Sequence, residues 1–446
     1  MVEPVAKGKA TKTITNRLLA RQLEGWSIDL LVSQTKTLFN QAVEFYFLVI
    51  NTHSSAQGLG INEATAALEN LTVPTKKRTA VSYPLPWQLP SMFRRAAITK
   101  AVGAFSSFST NLEKWKAKKA DRSAKNKKFT ERPPVPPRTW NFSPVFYSGT
   151  YQLEGKFVRL KLYTGKSWGW VKFALSGRSL PEDWKQLCPA LVQKGKRYEL
   201  HFPVQKVFST RGKAIEQAKN PNLRITATDL NLDGHIAVTT VMSSDGTHFA
   251  TRFDRGGKRL SARRKRLLGK VARKRQQTGT MAVGESDNKQ LWSKIRHLND
   301  YEGHRISKRI NQLAAKHGAT IHVFEHLANL KPDKGRYSRR SNQKRAYWLK
   351  SAIYRETKDK GWRDGRLTCR VNPKNTSRLC SHCDAEVLRH VEHEQPTEYH
   401  PGSPLFICPN GHRGNADFNA SCNIGFKFFA RYGYEKPNVN SGEISW

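Results

Sequence analysis

Arg224-Ile-Thr-Ala-Thr-Asp-Leu-Asn-Leu-Asp-Gly-His-Ile-Ala-Val-Thr-Thr240 is the stretch on which the fold turns. The residues up to Asp229 and those from His235 are rich in β-branched side chains, and Leu232-Asp-Gly234 between them suits a tight turn. The pattern therefore predicts two strands joined by a hairpin. A basic helix is expected next: of the 21 residues 255–275, 11 are Lys or Arg and none is acidic. Leu260, Leu267, Leu268 and Val271 form its only apolar stripe, so one side packs while the rest of the girdle faces phosphates. A second helix, about 289–317, leads into Ala319-Thr-Ile-His-Val-Phe-Glu325, which reads as a further strand. Strands alternating with long helices give an α/β pattern from 224 onward.

Upstream the texture differs. Residues 24–128 read as helical, with Leu30, Leu31, Leu38, Ala42, Phe45, Tyr46 and Val49 at three- and four-residue spacing. A second helix runs through Met92, Ala96, Ala101, Phe105, Phe108 and Leu112, and these stripes are read as core packing. The run after it, KWKAKKADRSAKNKK at 114–128, holds one acid and is expected to touch nucleic acid. ERPPVPPR at 131–138 cannot continue a helix and marks a boundary. Beyond it, 157–163 and 196–204 alternate apolar and polar residues, the period of half-buried strands, with Trp168, Trp170 and Phe173 between them. A small β-rich domain is expected from about 135 to 212.

Charge narrows the function. The 446 residues carry 77 Lys plus Arg against 35 Asp plus Glu, a formal net charge of +42. Such an excess repels itself unless a polyanion neutralises it, so nucleic acid is the leading partner. A membrane is not expected, because the longest purely apolar run is the six residues 45–50, far short of the ~18 a spanning helix needs. The N-terminus lacks the apolar core of a signal peptide, so a soluble intracellular protein is expected. The six cysteines cluster toward the C-terminus, which is not a secreted disulfide framework.

Three acids stand out. Asp229 and Glu325 each end a strand, and Asp417 opens the apolar helix that follows it. Brought together, they would repel one another unless Mg²⁺ or Mn²⁺ neutralised them, and paired ions suit phosphodiester chemistry. Singly, each is as readily a turn or cap residue.

The metal-ligand signal is stronger. Cys380-Ser-His-Cys383 is followed, after 24 intervening residues, by Cys408-Pro-Asn-Gly-His412. Three thiolates and an imidazole would make a closed tetrahedral Zn²⁺ site of structural type. His382, His390, His393 and His400 compete with His412 for the fourth place. Cys188, Cys369 and Cys422 are read as packed thiols.

With these residues in hand, the chain resembles the transposon-encoded TnpB proteins and the compact, Cas12f-like Cas12 effectors. Three blocks carry the resemblance: the strand ending at Asp229 with its continuation to Ala237; Ile321-His-Val-Phe-Glu-His-Leu327, with Glu325 on a Glu-x-Leu motif; and Asn375 to Cys383 through Cys408 to Asn415-Ala-Asp-Phe-Asn-Ala-Ser-Cys-Asn-Ile424, with Asp417 in the closing motif. They span roughly 224–428; upstream, the match is one of order and texture. Two departures stand out. Asn231 replaces the usual Gly after the first acid. Gly411 occupies the usual fourth cysteine position, with His412 one residue later.

The resemblance implies a multidomain α+β chain. Residues 1–23 would be an N-terminal arm and first wedge strand, 24–130 a helical recognition lobe, and 131–212 a β-rich, barrel-like wedge. Residues 213–446 would be an RNase H-like RuvC α/β nuclease domain with a zinc ribbon inserted at about 372–414. It further implies RNA-guided DNA cleavage beside a short flanking motif, with Asp229, Glu325 and Asp417 as catalytic Mg²⁺ ligands and Cys380, Cys383, Cys408 and His412 as zinc ligands. Arg255, Lys258, Arg259, Arg263, Arg264, Arg266, Lys270 and Arg273 are the expected nucleic-acid contacts. The implied partners are a guide RNA and double- and single-stranded target DNA, bound by a monomer or by a homodimer on RNA, in a prokaryotic cytoplasm near the nucleoid. Two other classes share these features: an RNA-guided DNA binder that does not cut, and an RNA-independent RNase H-like transposase or resolvase.

Overall fold

Alternation of exposed Lys7, Lys9, Thr11, Thr13, Thr15 and Arg17 with more buried neighbours, among them Ala10, Asn16 and Leu18, makes β1, Ala6–Leu19, a long strand with one inward face. The structure, a computed structural model, describes residues 6–19, 27–126, 128–232, 234–279, 287–333 and 335–436. It divides into two units, Thr11–Lys206 and Met1–Ala10 with Val207–Trp446. Among the described residues no helix is long and apolar enough to cross a membrane.

In the first unit β1 is followed by α1 (Ile28–Thr52), α2 (Ile61–Thr72) and α3 (Ser91–Ala124). Then come β2 (Tyr151–Glu154), β3 (Phe157–Tyr163), β4 (Trp168–Gly177), β5 (Lys185–Gln186), β6 (Ala190–Lys194) and β7 (Arg197–Thr210). The strands form one sheet in the order β2-β3-β4-β1-β7-β5, with β6 also paired to β7. Val158, Leu160, Leu162, Phe173, Leu200 and Phe202 build its core, and Leu31 and Val32 of α1 join them. Phe39, Val43, Tyr46, Phe47 and Ile50 pack α1 onto Phe93, Ala97 and Ala101 of α3. Leu30, expected on the apolar stripe, is 48% exposed, because its neighbour Leu31 occupies the inward position a third of a turn away. The basic run expected after α3 lies largely within it: residues 114–124 form its last turns, Lys and Ala being good helix formers.

The second unit holds α4 (Ala214–Ala218), β8 (Ile225–Leu230), β9 (His235–Met242), β10 (His248–Arg255), α5 (Gly257–Thr278), α6 (Lys289–Lys316) and β11 (Ile321–Glu325). These are followed by α7 (Arg339–Ala346), α8 (Lys350–Arg363), β12 (Leu367–Val371), β13 (Leu388–His390), β14 (Leu405–Ile407), β15 (Arg413–Asn415) and α9 (Ala416–Ala430). Its five-stranded sheet runs β10-β9-β8-β11-β12. The pairs β8–β9 and β9–β10 are antiparallel, whereas β11 lies parallel to both β8 and β12. The hairpin from β8 to β9 forms as the sequence suggests, although Asp233 of the expected turn lies outside the described residues.

Side-chain alternation assigns the two faces of this sheet. Ile225, Ala227, Ile321 and Val323 pack against Ile424, Phe428 and Phe429 of α9. Leu230 and Phe324 pack on the other face against Ile306 and Ile310 of α6 and Ile353 of α8. α9 lies close to β9 at Gly425, where a Cβ would displace the end of the Met242 side chain.

One expected nucleic-acid contact is corrected. Arg264 of α5 is only 7% exposed. Its Nη2 and Nε donate to Asn299 Oδ1 on α6 at 2.8 and 3.2 Å, and its guanidinium stacks on Tyr347 at 5.1 Å. It ties α5 to its neighbours instead of facing phosphate. Arg255 ends β10, outside the helix; it remains exposed, as do Lys258, Arg259, Arg263, Arg266, Lys270 and Arg273.

Candidate metal and nuclease site

Three elements distant in sequence carry the three acids to one end of the second sheet. Asp229 shares a face of β8 with Ile225 and Ala227, the face that α9 covers. Phe324 lies opposite Thr228 in the parallel β8–β11 register, so Glu325, one residue on, falls level with Asp229. Neighbouring strands lie about 4.8 Å apart, and residues level in a parallel pair point the same way. Asp417 sits in the first turn of α9, whose N-cap Asn415 accepts from the Asp417 and Phe418 N–H groups, both at 3.0 Å.

Electrostatics shows that the acids sense one another. Burial raises Asp229 well above the usual carboxylate range, and the Glu325 and Asp417 charges raise it further; Asn231 and Arg389 partly oppose this. Burial also raises Glu325, against the Thr376 hydroxyl and the charge of Lys427. Thr376 Oγ1 donates to Glu325, and Arg389 Nη2 donates to Asp417 Oδ1 at 3.2 Å. Arg389 is 8% exposed and also holds the Ser403 carbonyl through Nε at 2.8 Å. Neither Thr376 nor Arg389 was singled out by sequence reasoning, since each lies outside the strand and helix patterns and acts through a contact distant along the chain.

A pH dependence follows. A carboxylate whose folded pKa exceeds its unfolded value near 4 releases its proton first in the unfolded chain, so stability falls as pH rises through that window. Asp229→Asn is therefore expected to melt a few degrees higher than the native protein at neutral pH in EDTA. The gap should close toward pH 4 or on adding Mg²⁺. A lower melting temperature for the variant at neutral pH would contradict the cause given for the shift.

Beside the acids, β13, β14 and β15 make a three-stranded antiparallel sheet, with Cys380 and Cys383 ahead of β13 and Cys408 just after β14. Ligand atoms of Cys380, Cys383, Cys408 and His412 all lie within 4.8 Å of one another. Cys383 and Cys408 Sγ are 3.7 Å apart, and Cys408 Sγ lies 3.4 Å from His412 Nδ1. A tetrahedral ion with bonds of about 2.0–2.3 Å separates its ligands by roughly 3.3–3.8 Å, so these two separations fit zinc. Burial opposes ionisation of Cys383, yet hydrogen bonds from the Ala385 N–H, Asn410, His412 and Cys380 bring its thiol down to about 7. Burial pushes Cys380 up to about 12. Of the five competing histidines, His412 is the one grouped with the thiols; His382 instead stacks on its ring at 4.9 Å. Among the described residues the three carboxylates do not close to this spacing.

Comparison with known proteins gives this geometry a family. Residues 14–164 match the Aq_aa04 family, and residues 352–424, which hold the Cys₃His set, match the Cas12f1-like TNB domain. A TnpB-like protein of Aquifex aeolicus (strain VF5) is 30% identical over 267 residues, 56% of this chain and 82% of that relative. The chain belongs to the TnpB-like family. An uncharacterized protein of the same organism is 34% identical over 98 residues, 22% of this chain and 52% of its own length. At the level of fold, this TnpB-like chain is similar to a Cas12f1 solved in complex with sgRNA and target DNA, at a TM-score of 0.52 and 14% identity, covering 93% of this chain and 98% of that one. The mini-RNA-guided endonuclease Cas_phi3 matches at a TM-score of 0.50 and 11% identity, covering 96% and 94%. The TnpB-like chain therefore has the mixed α/β, multidomain fold of the compact Cas12 proteins.

Proposed function

We propose that the chain is an RNA-guided DNA endonuclease whose RNase H-like RuvC unit cuts with Asp229, Glu325 and Asp417. The observation that carries this reading is the meeting of three sequence-distant acids at one end of the sheet, beside a Cys₃His set. Family membership and the sgRNA and target DNA named for the Cas12f1 structure support the choice of guide RNA and DNA as partners. In this reading 24–130 is the recognition lobe, 131–212 the wedge with its first strand in 1–23, and about 372–414 the zinc ribbon.

The donors are hard carboxylate oxygens, which suit Mg²⁺ or Mn²⁺. When bound, such ions neutralise the acids, polarise a phosphodiester and lower the pKa of water. The protein's own part is to hold the acids rigidly. Thr376 fixes Glu325, Arg389 draws Asp417 toward β13, and the α9 cap sets the start of the helix. Exposed cations of α5 would track the backbone of bound nucleic acid, which counts charge and not sequence.

Arg263→Ala and Arg266→Ala are each expected to reduce the slope of log affinity against log salt by about 1, the signature of one lost phosphate contact. Arg264→Ala should leave that slope unchanged and lower the melting temperature. Filter binding across a salt series checks this assignment; a slope change with Arg264→Ala alone would reverse it.

The reading itself is tested by plasmid cleavage with Mg²⁺ and a guide whose variable end is changed at will. Cutting should follow the guide. Guide-dependent binding with no product after long incubation would favour a non-cleaving binder, and cutting without RNA would favour a transposase or resolvase.

A further inference from the structure

The β8–β9 hairpin supplies polar side chains to two different acids, Asn231 from its link and His235 from the first position of β9. Asn231 Nδ2 donates to Asp229 Oδ2 at 3.0 Å, and His235 Nδ1 lies 3.2 Å from Asp417 Oδ2. As a cation ligand Asp229 must be ionised, and an ionised carboxylate only accepts hydrogen bonds, so the amide that serves it presents its NH₂ end. Both residues are held in place: the Asn231 main-chain N–H donates to the Ile236 carbonyl at 3.1 Å, and the His235 ring packs against Phe253 at 5.1 Å between centroids. Asn231 is not among the residues with positive φ, so the backbone there does not demand the glycine that the resemblance leads one to expect. The side chain at 231 has a contact to make that glycine cannot make.

We infer that Asn231 and His235 are positioning residues that fix the carboxylates of Asp229 and Asp417 before divalent cations arrive. The inference rests on the acid-site reading above and adds the device that orients the acids. In a cluster of like charges each carboxylate tends to rotate away from its neighbours, and an ion entering the site must bring it back. At Asp229 a donor anchored in the hairpin holds Oδ2 in place and leaves Oδ1 for the cation. At Asp417, His235 holds Oδ2 and Arg389 holds Oδ1, so the two together fix that carboxylate. Because one hairpin serves a strand-borne and a helix-borne acid, it also sets their mutual orientation. Partners of this kind, hydrogen-bonded to metal ligands, typically contribute about 10–100-fold to metal affinity or activity.

The test uses the full chain with its guide RNA and Mn²⁺ as the probe, read by electron paramagnetic resonance of free ion. Asn231→Gly, Asn231→Ala and His235→Ala should each weaken Mn²⁺ binding by about 10–100-fold. The Mg²⁺ concentration for half-maximal cutting should rise by a similar factor, with a smaller change in rate at saturating Mg²⁺. His235→Asn keeps a donor near the Nδ1 position and should hold Mn²⁺ close to the native protein. Metal-free melting and guide affinity should stay near native in all four variants. Native Mn²⁺ affinity in Asn231→Gly and His235→Ala, alongside its loss in Asp229→Ala, would overturn the inference and leave the acid site standing. Native affinity in Asp229→Ala as well would overturn both. Lower melting without any change in Mn²⁺ affinity would assign the two residues to the fold alone and also overturn the inference.

Discussion

Asp229→Ala is expected to abolish DNA cutting, by roughly 10³-fold or more, while guide-RNA affinity stays within about twofold. The loss is large because Asp229 is a buried acid whose carboxyl is raised by the charges of both Glu325 and Asp417, so its removal takes away a ligand that both other acids act on. Electrostatic stabilisation by metal ions is worth several kcal/mol at the transition state, and about 4 kcal/mol is a factor of 10³ in rate. Binding of RNA draws instead on a net charge of +42 spread over the chain, from which one buried carboxylate subtracts little. Single-turnover cleavage and filter binding on the same preparation separate the two effects. Cutting at the native rate would show that Asp229 holds no ion needed for the reaction.

Removing zinc should have the second largest effect, and it should reach the acids. The small sheet has three residues per strand, and its core consists of Val387, Phe406, Ala416 and the cysteines. So little apolar surface does not sustain a fold without a metal. Structural zinc binds in such modules with apparent free energies of about 10–16 kcal/mol, so most of the local stability resides in the ion. Cys408→Ser or chelation is therefore expected to release residues 380–412 to rapid amide exchange while β8 and β11 stay protected. Arg389 belongs to β13, so its pairing with Asp417 should be lost at the same time and cutting should fall. Unchanged exchange across 380–412 after metal removal, measured by mass spectrometry, would show that the ribbon stands on packing alone.

The parts of the site that are legible in the sequence are those whose physics is local. Buried β-branched runs announce β8 and β11, and the acids at their ends follow from strand length alone. Close-spaced cysteines announce one corner of a metal site. The fourth ligand is a matter of backbone path. Gly411 adopts φ of 82° in a turn closed by its N–H to the Cys408 carbonyl at 3.0 Å, and this turn returns His412 to the thiols. A ligand shifted by one residue is thus accommodated by a left-handed glycine, which ligand spacing does not reveal. β10 is hard to read because HFATRFDR is mostly polar, as suits an outer strand, and β12 because LTCRV alternates apolar and polar residues over only five positions. Arg264 was misread because composition marks a helix as basic but does not say which arginine turns inward to meet Asn299. Arg389 and Thr376 are set by tertiary contacts with acids 28 and 51 residues away, beyond the reach of any periodicity.

Whether an RNA guide directs DNA cutting by this chain, as proposed, is tested by sequencing the RNA that co-purifies with the protein expressed together with its native flanking DNA. One dominant species is expected, near-stoichiometric, with a constant scaffold and a variable end. Degraded host RNA at low occupancy, with DNA cutting that persists after ribonuclease treatment, would contradict it and point to a protein-only recombinase or nuclease.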